Sequence, residues 1–140
     1  MPPTAPSAAG TEPRLRRIGQ IAVIVRDLDR AVRFYRDTLG LALLFQAPPA
    51  LAFFDCGGVR LMLTPPEGPE QGGGTSVLYY VVEDIAGAHA ALAARGVEFL
   101  NPPRVIARMP DHDLWMAAFR DSEGNLLELM CEVRRAAAGA

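Results

Sequence analysis

The strongest constraint on the fold is an internal repeat. Val25-x-Asp27-Leu28 matches Val82-x-Asp84-Ile85, and further along DCGGVRLM, Asp55 to Met62, matches DSEGNLLE, Asp121 to Glu128. Each of the later pair has an Asp, a Gly three residues on, and a strand residue four beyond that. Two matches in the same order indicate a duplicated supersecondary unit, so the chain is expected to fold as two like modules facing each other. The alignment also pairs individual positions: Gln20 with Val77, and Met62 with Glu128.

Each copy reads as βαβββ. QIAVIV, Gln20 to Val25, is a β-branched apolar run and so a buried strand. Asp27 or Asp29 can cap the following helix, whose apolar stripe is Ala31, Val32, Phe34, Tyr35 and Leu39. Gly40 stands where a left-handed C-cap belongs. LALLFQ, LAFFDC and VRLMLT follow as strands separated by Pro-Pro and Gly-Gly turns. GPEQGGGTS then reads as a flexible joint. In the second copy VLYYVV is a strand, Asp84 a cap, Ala88 to Ala94 a helix of small residues and Gly96 its C-cap. VEFL reads as extended, PPRVIARMPDHD as a long irregular connection, and LWMAAF and NLLELMCEV as strands. The expected class is α+β, with residues 17–133 as one domain: module one spans about 17–67 and module two about 75–133. Residues 1–16 and 134–140 read as tails.

Composition narrows the partners. A chain of 140 residues, half hydrophobic and with net charge −2, is a globular domain without the basic excess that nucleic acid demands. No apolar run is long enough for a membrane helix, and the N-terminal stretch has no apolar core of a signal peptide. Cys56 and Cys131 have neither a zinc spacing nor a disulfide framework, which fits a reducing, cytoplasmic setting. All 14 basic residues are arginine, so a lysine Schiff base is excluded.

Two βαβββ modules, DLDRAVRFYRDTLGL after the first strand and FRDSEGNLLEL near the end together resemble the vicinal oxygen chelate superfamily, which includes glyoxalase I, bleomycin-resistance proteins and extradiol dioxygenases. The resemblance covers about Arg17 to Val133. It implies two curled mixed sheets around a cupped cavity, often completed by a second chain, and hence a homodimer. In enzyme members one divalent metal, such as Ni, Zn, Mn or Fe, is held by the first and last strands of each module. Motif matching puts those positions at Gln20, Met62, Val77 and Glu128, the same four that the repeat pairs.

Those four residues make a poor metal set. Valine has no donor atom and a thioether is a poor ligand for hard divalent ions, leaving only Gln20 and Glu128. No metal or other cofactor is therefore expected. Strand parity puts Gln20 on a face with Ala22 and Ile24, and Glu128 with Leu126 and Met130. A glutamate in an apolar stripe is either a general base or ligand, or a structural partner of an arginine such as Arg60. His112, flanked by Asp111 and Asp113, is either a second acid–base group or a member of a solvated turn. His89 reads as a packing or surface residue. Tyr79, Met62, Trp115 and Arg108 are the residues expected to touch a ligand, with Phe53 or Phe54, Met116 and Met130 around them, although core packing is an equally open use of the aromatics. Three functions stay open: a metal-free small-molecule binder similar to bleomycin-resistance proteins, a metal-free enzyme using Glu128 with His112, and a divalent-metal lyase, isomerase or dioxygenase resembling glyoxalase I.

Overall fold

The computed structural model of the chain describes residues 13–66 and 76–136. Residues 67–75, which hold most of the joint, the first twelve residues and the last four lie outside that description, and with them most of both expected tails. Module one contains β1 (Gln20–Ile24), α1 (Leu28–Arg33), β2 (Ala42–Ala47), β3 (Leu51–Cys56) and β4 (Val59–Thr64). Module two contains β5 (Leu78–Val81), α2 (Ile85–Ala94), β6 (Arg104–Arg108), β7 (His112–Arg120) and β8 (Leu126–Arg134). The two mixed sheets have the same order, β1-β4-β3-β2 and β5-β8-β7-β6, with only the β1/β4 and β5/β8 pairs parallel.

The duplication extends to register. Ala22 lies opposite Met62 in the first sheet and Tyr79 opposite Glu128 in the second, positions equivalent under the repeat. Gly58 and Gly124, matched in the two turns, share a left-handed backbone at φ +89° and +87°, so the repeated Gly marks the same turn geometry. Asp27 and Asp84 cap the two helices, accepting from Arg30 N and Gly87 N, each at 3.0 Å. Helix α1 then widens into a π-helical turn over Phe34–Thr38 before Gly40 ends it at φ +79°.

One element differs from the sequence reading. VEFL supplies only an isolated bridge, Phe99 to Phe119, and the second strand of module two is β6, inside the stretch read as irregular. The register of β6 against β7 shifts between Val105 and Ala107, and such a bulge breaks the period-two alternation by which a strand is recognised. His112 and Asp113 accordingly stand inside β7 rather than in a connection leading to it.

Helix α1 packs on β3 and β4 with one side and on module two with the other. Tyr35, fully buried, meets Phe54 of the first sheet at 6.1 Å between ring centroids. Leu39 and Leu41 share a cleft with Tyr80, Leu92, Phe119 and Leu129 of the second module. The covered faces of both sheets therefore look into one core, whose largest members are Tyr35, Phe54, Phe119, Leu61 and Leu63. Their opposite faces look outward.

A polar knot joins the modules. Asp121, 6% exposed, accepts the Tyr35 hydroxyl at 2.7 Å and Asn125 Nδ2 at 2.9 Å on one oxygen, and the backbone N–H groups of Glu123 and Asn125, both at 2.8 Å, on the other. Asn125 Nδ2 also donates to the Ile24 carbonyl at 3.0 Å. Two residues along, Glu123 accepts the N–H groups of Arg26 and Asp27 at 3.0 and 2.9 Å, and Arg30 Nε at 2.7 Å. It thus serves the free donors at the start of α1 from the other module. Burial and the adjacent Asp121 push the Tyr35 phenol far above its usual range. The Arg30 guanidinium holds the Glu123 carboxyl down to about 2.

Tyr35→Phe leaves Asp121 short of a donor in a buried site and is expected to cost about 1–3 kcal/mol in a denaturant titration. Glu123 has a depressed folded-state pKa, so its stabilisation is complete above the unfolded value of about 4.5 and lost as pH falls toward 2. Glu123→Gln should lower the melting temperature at neutral pH and flatten its fall with acid in that window. An unchanged acid limb would show that Glu123 is not the group being titrated.

Candidate functional site

The outward face of each sheet carries the residues singled out above. On the first sheet Gln20, Arg60, Met62 and Phe53 are neighbours across β1, β4 and β3. Arg60 Nε donates to Gln20 Oε1 at 3.0 Å, and Gln20 Nε2 lies 3.8 Å from Met62 Sδ. The Arg60 guanidinium stands over the Phe53 ring, 5.4 Å from its centroid. Phe53 in turn stacks on Phe45, with centroids 4.6 Å apart and planes 25° apart. Asp55, opposite Arg60 in the β3/β4 pairing, accepts from Gly58 N at 3.2 Å rather than from the guanidinium.

On the second sheet Glu128 lies between Tyr79 of β5 and Ala118 of β7, with Met130 next along the face opposite Met116. Tyr79 stands directly across from Glu128 in the β5/β8 pairing, and interaction with that carboxylate raises its phenol pKa. Tyr79 is nonetheless half exposed, as is Phe45 on the other sheet, while Val81 at the β5 edge is 76% exposed. Val77 falls just before β5 begins.

Arg60, offered by the sequence as a partner for Glu128, is engaged within its own sheet instead. Parallel pairing sets it directly opposite Gln20. Among the described residues no hydrogen bond or ion pair joins Gln20, Arg60 or Met62 to Tyr79 or Glu128.

The remaining candidates lie elsewhere. Trp115, expected against the ligand, sits opposite Val105 and Cys131 on the covered face and packs against the core, because the odd-numbered residues of β7 point inward. Phe54 faces the core in the same way and Phe53 faces out. His112 shares the outer face with Glu128 but lies six residues from Ala118 along β7, about 20 Å at strand rise. That distance separates it from Glu128 as an acid–base partner. It belongs to a charge cluster: His112 Nδ1 is 2.8 Å from Asp111 and Nε2 is 3.6 Å from Glu132. Arg134 bonds Asp111 at 2.6 Å, Arg108 bonds Asp113 at 3.0 Å, and Arg135 also pairs with Asp113. His112 and then Arg134 hold the Asp111 carboxyl below its usual range. Arg108, like His112, thus sits at the far end of the second sheet. His89 stacks against Phe99, with centroids 4.3 Å apart.

The four positions do not fit a divalent metal. Met62 and Val77 lack hard donors, and the Gln20 oxygen already accepts from a guanidinium whose charge repels a cation at that point. Glu128 belongs to the other sheet, opposite Tyr79. Among the described residues no group of three or more His, Cys, Asp or Glu is placed to hold a metal ion.

Knowledge of the four positions came from the repeat, but Arg60 as the group that engages Gln20 did not. Its signal was present: Gln20 opens β1 and Arg60 is the second residue of β4, the strand that pairs with it in parallel. Glu128→Gln should return the Tyr79 phenol toward its usual pKa of about 10, leaving the buried Tyr35 and Tyr80 phenols raised. A pH titration of ring-labelled tyrosine by NMR resolves this, and an unmoved Tyr79 would break the assigned contact.

Comparison with known proteins adds three findings. The family model of the Glyoxalase/Bleomycin resistance protein/Dioxygenase superfamily matches residues 17–129. YraH, an uncharacterized protein of Bacillus subtilis (strain 168), is 31% identical over 126 residues, covering 79% of this chain and 94% of YraH. Among solved structures, lactoylglutathione lyase from Agrobacterium tumefaciens superposes with a TM-score of 0.65 at 24% identity, covering 81% of this chain and 92% of that one. TnmS3, an antibiotic binding protein from Streptomyces sp. CB03234, superposes with a TM-score of 0.69 at 24% identity, covering 86% and 99%. At those identities the structural matches speak for the fold alone.

Proposed function

Given that the chain belongs to the Glyoxalase/Bleomycin resistance protein/Dioxygenase superfamily, we propose that it binds small organic molecules without a metal ion, as a two-fold symmetric pair of chains. The observation that carries this reading is the Arg60–Gln20 contact at 3.0 Å. A fixed cation occupies the place where a metal would need the glutamine oxygen free, while apolar and aromatic side chains surround it. Ligand sites are commonly apolar and aromatic surfaces with a few placed polar groups. The use of this fold by TnmS3, described as an antibiotic binding protein, is consistent with that role.

A second copy is proposed because both outer faces are bare. Phe45, Tyr79 and Val81 are about half exposed or more, and pairing would make these faces the walls of a cavity between the two chains. The reducing cytoplasm fits two free cysteines, Cys56 and Cys131, and among the described residues no helix is long and apolar enough to cross a membrane.

The cross-strand placement of Tyr79 beside Glu128 supports one alternative, an enzyme in which that pair moves a proton next to a carbonyl. Glu128→Gln separates the two. For a binder it alters affinity alone; for an enzyme with Glu128 as base it lowers turnover about 100-fold while ligand still binds.

Two further outcomes are expected. The protein purified without a tag should carry no stoichiometric divalent metal and show no glyoxalase activity with methylglyoxal and glutathione. About one Ni, Zn, Mn or Fe per chain by elemental analysis, lost on Glu128→Ala, would overturn the metal-free reading. Light scattering at micromolar concentration should return the mass of two chains, and a single-chain mass would remove the pairing.

A further inference from the structure

The outer face of the first sheet holds an arginine that is positioned but not neutralised, and we infer that this face selects planar organic anions, such as aromatic carboxylates, over neutral or cationic molecules of the same shape. This inference rests on the small-molecule-binding reading and names its ligand class.

Three observations lead to it. Arg60 is anchored through Nε alone, to Gln20 Oε1 at 3.0 Å; its two Nη groups have no hydrogen bond or ion pair among the described residues. The acid best placed to neutralise it, cross-strand Asp55, makes no ion pair with it and accepts instead from Gly58 N. The guanidinium is also held over Phe53, whose ring continues into the stack with Phe45.

The chemistry follows from that placement. A guanidinium fork presents parallel N–H donors that match a carboxylate in two bonds, and anchoring by Gln20 removes part of the entropy cost of making them. Phe45 leaves its aromatic surface half exposed beside the fork, so a flat ring can stack there while its acid group reaches Arg60. A neutral ring gains only the stacking. A cationic ring meets the guanidinium with like charge.

The test uses three probes of one shape: 2-naphthoate, 2-naphthamide and 2-naphthylmethylammonium, titrated into the full chain by calorimetry. The naphthoate should bind at least about tenfold more tightly than the amide, and the ammonium more weakly than either. Arg60→Gln should bring naphthoate down to the amide's affinity. Arg60→Lys, which keeps the charge without the fork, should retain only part of the preference. Amide and side-chain NMR shifts on adding naphthoate should centre on Gln20, Phe45, Phe53 and Arg60. Equal affinity of naphthoate and amide, a preference that survives Arg60→Gln, or shifts centred on the second sheet would overturn the inference and leave the binding role standing. If none of the three probes binds at millimolar concentration, the inference and the binding role both fall.

Discussion

Asp121 is a carboxylate with almost no contact with water, and a carboxylate in that position is costly unless its oxygens are fully engaged. Four donors meet it: the Tyr35 hydroxyl from the first module, and the Asn125 side chain and two backbone N–H groups from its own turn. The bond to Tyr35 forms only when α1 lies against the β7–β8 turn. The desolvation cost therefore acts as a condition on docking: modules that separate leave the acid under-satisfied. Glu123, two residues on, repeats the logic with charge, serving the start of α1 and pairing with Arg30. These bonds tie the helical segment of module one to the β7–β8 turn of module two, beside the core that both sheets share.

Duplication then set up a pair of equivalent faces that diverged in chemistry. In the first, Gln20 and Met62 gather around Arg60 and the Phe53–Phe45 stack. In the second, Tyr79 and Glu128 form a pair flanked by methionines. One wall carries a fixed positive charge on an aromatic surface, the other an acid with a hydroxyl donor. The equivalent positions of the two modules thus carry unlike groups. The charge cluster around His112 has no share in either wall, lying at the far end of the second sheet.

Much of the architecture was legible in the residues alone. The paired motifs located two βαβββ units, the caps Asp27 and Asp84 and the turn glycines 58 and 124, because each is a local solution to a local backbone problem. Strand parity grouped Gln20 with Ala22 and Ile24, and Glu128 with Leu126 and Met130, each on one face of its strand. Local rules also had limits. β6 was hidden by a bulge that breaks its alternation, and Trp115, expected against a ligand, packs on the covered face because the register of β7 is set by strands that residue type alone does not align.

What the sequence by itself determined is the duplicated βαβββ order and the absence of hard ligands at two of four positions, since these depend on residue type and spacing. Only the tertiary structure decided the partners. Arg60 could have met Glu128 or Gln20, and a parallel β1/β4 register set it opposite Gln20. His112 and Glu128 could have met in a cleft, and nine residues of continuous β7 hold them at different ends of one sheet. Tyr35 could have been one more core aromatic, and its hydroxyl instead reaches a carboxylate that lies 86 residues away in the chain. The physical reason is common to all three: side-chain chemistry is local to a residue, but whom it meets is set by register and packing between segments far apart in sequence.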